Sequence, residues 1–142
     1  MTPIATTTLT VHRLIPATPA EVFDVWLDPT SPGGPWFGHT FILDAKVDGL
    51  FYLAMGHAGR QWPHYGRFVT LDRPRTIAHT WVSEATRGLE SVVTLTFTAK
   101  GDDTELTLVH SGVPDDDFGR QHSVGWDFIL GMIAESFAGR RG

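Results

Sequence analysis

Seven histidines are the residues of this 142-residue chain best suited to proton transfer or metal binding. An uncharged imidazole carries one donor and one acceptor nitrogen and titrates near neutrality, so one held against a substrate acts as acid or base. Strand alternation puts His57, His79 and His110 on the side of the inward apolar residues. These three are the candidates for catalysis, with Tyr65 or Glu84 as a polar helper. His39 and His64 fall near strand ends, and His12 and His122 have no clear place. The expected state of each inward histidine is a neutral, hydrogen-bonded core residue, because burial disfavours the charged form. No pair has the spacing of a metal site such as H-E-x-x-H, so no metal is expected and no catalytic role is assigned.

Other chemistry has less support. Ser83, Ser91, Ser111, Ser123 and Ser136 lie in no G-x-S-x-G elbow, and no phosphate loop of the G-x-x-x-x-G-K type is present. The chain has no cysteine, which removes disulfides and thiolate ligands together. Asp115, Asp116 and Asp117 lack EF-hand spacing and read as a helix start, where negative charge is favoured. No cofactor is expected. Eleven basic against sixteen acidic residues give a net charge of −5 without a basic cluster, which argues against a nucleic-acid partner. No apolar run is long enough to cross a bilayer, and Met1 to Leu9 is threonine-rich without the form of a signal peptide. A cytoplasmic protein with no membrane partner is expected, as one domain over residues 1–142.

The elements that must position these residues follow from periodicity. Thr6 to Leu14 reads as a first strand, with Leu9 and Val11 on one side. Thr18-Pro19-Ala20-Glu21 has the form of a capping box, and Val22, Phe23, Trp26 and Leu27 share one face of the short helix it opens. Asp28-Pro29 stops that helix, and a loop through Ser31–Pro35 leads to Trp36-Phe37. From His39 to His110 six short strands are expected, with turns at Asp48-Gly49, Gly59-Arg60, Arg73-Pro74-Arg75 and Lys100-Gly101-Asp102-Asp103. The third strand pattern runs from Tyr65 to Leu71. A long helix follows, with Trp126, Ile129, Leu130, Ile133 and Phe137 at helical spacing, Gly139 as its end, and Arg140 and Arg141 at its negative pole. The fold class is α+β: a curved antiparallel sheet of six to seven strands gripping a C-terminal helix.

Between sheet and helix the pattern leaves space for a largely apolar cavity, the usual form of a ligand site. Its expected walls are Trp36, then Phe51, Leu53 and Met55, then Trp62 and Tyr65. His79 and Trp81 follow, with Val93 and Leu95, Leu108 and His110, and finally Trp126, Ile129 and Ile133 from the helix. Each of these residues also has a reading as plain core, and a wall is core as well.

In their order along the chain these motifs resemble the START-like (SRPBCC) superfamily with the helix-grip fold. The similarity is nearest to the branch related to the C-terminal domain of the activator of heat-shock protein 90 ATPase. It is carried by Thr18-Pro19-Ala20-Glu21-Val22-Phe23, Trp36-Phe37, Val47-Asp48-Gly49-Leu50-Phe51 and Tyr65-Gly66-Arg67-Phe68. Thr80-Trp81, Leu106-Thr107-Leu108-Val109-His110 and Gly125-Trp126 complete it over nearly the whole chain. Asp48 departs from the first glycine usual at that turn. The resemblance implies a fold together with ligand carriers and polyketide cyclases, and some of this branch bind small toxic molecules. The eukaryotic co-chaperone has a further N-terminal domain that these residues do not contain, so an activator role is not the expectation.

The leading expectation is a binding protein for a small hydrophobic or aromatic molecule. A cyclase- or dehydratase-like enzyme using an inward histidine and a co-chaperone-like interaction module are the alternatives. An edge strand and exposed aromatics leave room for a homodimer.

Overall fold

The computed structural model describes residues 4–141. Residues 1–3 and 142, the side chain of Arg141, and with them the first part of the threonine-rich N-terminus, lie outside the described residues. The chain runs β1 (Thr6–Ile15), α1 (Pro19–Trp26), β2 (Thr40–Leu43), β3 (Leu50–His57), β4 (Arg60–Asp72) and β5 (Thr76–Trp81). A 3₁₀ turn (Glu84–Thr86), β6 (Ser91–Lys100), β7 (Asp103–Pro114) and α2 (Asp117–Arg141) complete it. The seven strands form one antiparallel sheet in the order β1-β7-β6-β5-β4-β3-β2, so six strands meander and β1 closes the far edge against β7. No helix among the described residues is long and apolar enough to cross a membrane.

The local signals act as their chemistry requires. Thr18 Oγ1 accepts from the Glu21 backbone N–H, and the Glu21 carboxylate accepts from the Thr18 N–H at 3.1 Å, completing the capping box. Lys100 pairs with Asp103 across a two-residue turn whose Gly101 has φ 61°. At the start of α2, Asp116 accepts from the N–H groups of Phe118 and Gly119 and so caps the helix.

Four boundaries differ from the sequence expectation. The β2–β3 connection is a loop over residues 44–49 in place of a two-residue hairpin: Asp48, at φ 66°, donates its N–H to the Phe68 carbonyl, which holds the loop against β4. The next hairpin turns on Ala58-Gly59, both left-handed, one residue before the expected Gly59-Arg60. Strand β4 begins at Arg60 rather than Tyr65 and continues through Pro63. Its first residues pair with β3 alone, since bridging to the β5 side starts at Tyr65 and Val82, so the missing N–H of Pro63 removes no ladder bond on that side. Finally, α2 runs through Gly139 to Arg141.

Both helices cover the same face of the sheet. Phe23 of α1 meets Phe97 of β6 with ring centroids 5.4 Å apart, and Trp26 meets Trp126 of α2 at 6.1 Å. On the β1 side, Arg13 follows the inward phase of Leu9 and Val11 and reaches the Asp127 carboxylate of α2 at 2.9 Å. A Cβ on Gly131 would come to 3.0 Å from that guanidinium, so a glycine lets helix and arginine lie close.

Candidate functional site

Under α2 the deep space is filled. Trp36 of the α1–β2 loop stacks on Phe41 at 5.5 Å and meets Phe51 edge-on at 6.0 Å. Phe51 stacks on His79 at 4.1 Å and lies 5.8 Å from Trp81, which lies 5.0 Å from Trp126. This train of rings carries the apolar interior from α1 to α2 without a gap along it. The expected walls Trp36, Phe51, Leu53, Val93, Leu95, Leu108 and Ile133 are therefore fully buried core, outside the lining of the cavity that remains. Large aromatic side chains occupy the centre.

A cavity of about 150 Å³ remains on the flank of that core. It lies between Met55 of β3, His64 of β4, Trp81 of β5, Ala85 of the 3₁₀ turn, and the α2 residues Phe118, Gln121, His122, Gly125, Trp126 and Ile129. Gln121 and Gly125 are its exposed members, so the opening lies beside the first half of α2. The rim is tied by Arg87, whose Nε donates to the Asp116 carboxylate at 2.6 Å and whose guanidinium lies 5.2 Å from the Phe118 ring. That contact holds the Asp116 carboxyl below the usual carboxylate range.

Two tryptophan–histidine pairs join sheet to helix beside the cavity. Trp126 of α2 donates its indole N–H to Nδ1 of His110 on β7 at 3.0 Å. His110 Nε2 lies 2.8 Å from Ser91 Oγ, and the Ser91 hydroxyl donates to the Trp81 carbonyl at 2.6 Å. Conversely, Trp81 of β5 donates its indole N–H to His122 Nε2 of α2 at 3.3 Å, while His122 Nδ1 lies 2.8 Å from the Phe118 carbonyl. The partners fix each tautomer: His110 holds its proton on Nε2, and His122 holds it on Nδ1.

These imidazoles are neutral at physiological pH. Burial pushes His110 down to about 2, with His122, His79 and His64 adding to the effect. Burial also lowers His64 and His79 to about 4, against the opposing pull of nearby carbonyls. His122 is lowered by burial, opposed by the Phe118 carbonyl and Asp116. Among the described residues, no group of three or more histidine or carboxylate side chains is arranged to hold a metal ion. Among the described residues three buried ring nitrogens have no hydrogen-bond partner: Nδ1 of His64, Nε2 of His79 and the indole nitrogen of Trp26.

Of the residues singled out from sequence, Met55, Trp81, Trp126 and Ile129 line this cavity. His79 and His110 lie behind it, fully buried. His57 is exposed at the β3–β4 hairpin tip, because alternation carries it past the end of the covered sheet. Trp62 is half-buried on the same hairpin, donating to the His57 carbonyl with Arg60 stacked over its ring. Tyr65 faces outward, 53% exposed, with its ring 5.2 Å from Tyr52. Glu84 pairs with Arg60 at the surface, at 2.5 Å. Sequence reasoning missed His64 and His122 as wall residues. Starting β4 at Arg60 places Trp62, His64, Gly66 and Phe68 in one phase, and extending the Trp126 stripe back by four and eight residues reaches His122 and Phe118.

A family model described as Activator of Hsp90 ATPase homolog 1-like protein matches residues 16–138. No curated protein matches the chain. Protein CV1439 from Chromobacterium violaceum superposes with a TM-score of 0.77 at 23% identity, over 92% of this chain and 97% of that one. An HSP90 activator from Plasmodium falciparum gives a TM-score of 0.69 at 22% identity, over 84% of this chain and 86% of that one. The Aha1 dimer from Colwellia psychrerythraea gives 0.67 at 15% identity, over 92% and 96%. At these identities the likeness is one of fold.

Proposed function

The chain belongs to the Activator of Hsp90 ATPase homolog 1-like family, and from that premise we propose that it is a small-molecule-binding protein whose cavity beside α2 holds an apolar or aromatic ligand. The observation that carries this reading is the cavity itself, open at Gln121 and Gly125 and walled by Trp81, Trp126 and Phe118. Apolar walls with few polar groups are the usual form of a ligand site. A cavity of this size takes a molecule of about one ring.

Native mass spectrometry of protein purified from cells tests the reading. A defined small molecule bound to the wild type, and lost in Gly125→Leu, is the expected result. A chain that stays empty through a library of lipids and single-ring aromatics sinks it.

An enzymatic reading gains support from His64 alone, a wall residue with an unpartnered ring nitrogen. It requires conversion of the bound molecule that stops in His64→Gln while binding survives. A homodimer is supported by the Colwellia psychrerythraea protein, described as a dimer, and by Val124 and Phe128. These are one helical turn apart on α2 and 72% and 70% exposed. Sedimentation of the wild type against Phe128→Glu separates a dimer from a monomer.

A further inference from the structure

We infer that Gly125 is the size-determining residue of the cavity: the notch it leaves in α2 between Gln121 and Ile129 admits an uncharged, hydrocarbon-like ring, and a side chain there excludes it. This rests on the cavity-binding reading above and adds what selects the ligand.

Helix geometry places the notch. Residues four apart lie above one another on a helix face, and α2 presents two such rows to the cavity. Phe118, His122 and Trp126 form one row, and Gln121, Gly125 and Ile129 form the other. Every member of both rows lines the cavity, so position 125 faces it. Gly125 is the one member without a side chain, and a Cβ built on it meets no atom within 4 Å.

A glycine in a helix interior is destabilising relative to alanine, so it calls for a reason. Two other α2 glycines have one in their packing. A Cβ on Gly119 would lie 2.2 Å from the Pro114 carbonyl oxygen, and one on Gly131 would lie 3.0 Å from the Arg13 guanidinium. At Gly125 no neighbour forbids a side chain. The reason is the space itself, which belongs to the cavity and its mouth.

The rest of the wall makes size the property that is read. No Asp, Glu, Lys or Arg lines the cavity. A charged ligand would leave water and find no counter-charge, which is strongly unfavourable. The indole N–H groups of Trp81 and Trp126 already donate to His122 and His110, and both His122 ring nitrogens are engaged. The His64 ring packs on Trp81 at 4.4 Å, and Gln121 stands at the exposed rim. Apolar contact and fit are what remain to discriminate. A dry, apolar cavity of about 150 Å³ is large enough to hold benzene.

Binding of benzene, toluene and benzoate to the full chain at pH 7, read by the indole N–H shifts of Trp81 and Trp126, tests the assignment. The wild type should bind both hydrocarbons, and benzoate at least tenfold more weakly. Gly125→Ala should weaken toluene about fourfold relative to benzene, the effect of one buried methylene. Gly125→Leu should bind neither hydrocarbon while keeping a cooperative melt; if the melt is lost, the alanine ratio decides. Gly139→Leu puts the same side chain on the same helix, outside the cavity lining, where a Cβ again meets nothing. It should leave both affinities unchanged. A toluene-to-benzene ratio unmoved in Gly125→Ala, tight binding in a folded Gly125→Leu, or an equal loss in Gly139→Leu overturns the role of Gly125 and leaves the cavity reading standing. Tight benzoate overturns the uncharged class. No shift of the wild type with any probe at saturation overturns the cavity reading itself.

Discussion

Trp126 on α2 and His110 on β7 share a buried hydrogen bond of 3.0 Å, and the helix tryptophan is the donor. The second pair reverses the roles, with a sheet tryptophan, Trp81, donating to a helix histidine, His122, at 3.3 Å. Sheet and helix are thus fixed to each other by polar contacts as well as by packing. The shorter and more deeply buried bond leaves the more costly orphan when cut.

Trp126→Phe should therefore destabilise the fold by about 1–3 kcal/mol, the range for a buried acceptor left unpaired. Trp81→Phe should cost less, because His122 is only partly buried. The double variant Trp126→Phe/His110→Leu should be less unstable than the sum of its singles. Urea unfolding measures all three, and strict additivity would rule out coupling through this bond.

Acid should unfold the protein cooperatively. His64, His79 and His110 bind protons more readily unfolded, near 6.5, than folded, near 4, 4 and 2. Their contribution is complete above pH 6.5 and is lost as pH falls, through about 4 for His64 and His79 and lower for His110. Three such groups give a slope of about 4 kcal/mol per pH unit between pH 6 and 4, enough to exhaust a typical domain stability by roughly pH 4. His79→Leu should flatten the slope by about 1.4 kcal/mol per unit. Stability that stays level from pH 7 to 4.5 contradicts the neutral state of these rings.

Gly125→Ala should raise stability by up to about 1 kcal/mol, because alanine favours the helix and its Cβ meets nothing. Gly131→Ala should gain less, since the new methyl group displaces Arg13 from Asp127. Thermal melts of the two variants provide the comparison, and an equal gain would show that Arg13 moves freely.

Thr18→Ala should cost about 1 kcal/mol by opening the capping box of α1. Glu21→Ala should cost less, since Thr18 Oγ1 still accepts from the backbone N–H of residue 21. A guanidinium titration of each variant provides the measurement.

The meander, the edge position of β1 and both helices were legible because each rests on a local signal, either alternation or a cap. The turn at Asp48-Gly49 was not, because its length is set by the Asp48–Phe68 contact, which is distant in sequence. In the site, Trp81, Trp126, Met55 and Ile129 were legible as inward positions. His64 was hidden because the strand was expected to begin at Tyr65, one residue after it, whereas β4 begins at Arg60. Which inward residues border empty space, and which pack together, depends on how seven rings from six segments interlock. Alternation along one strand carries no information about that.

The placement of β1 also bears on the order of assembly during synthesis. Thr6 pairs with Pro114, and Arg13 lies 114 residues before the Asp127 it binds. At roughly 5–20 residues per second, β1 waits about 5–20 seconds for the ribosome to deliver β7, its neighbour in the sheet. Until then its hydrogen-bonding edges are open to other chains, and a run of alternating threonines keeps that waiting strand polar on one side. The last strand and helix made are thus the ones that shelter the first.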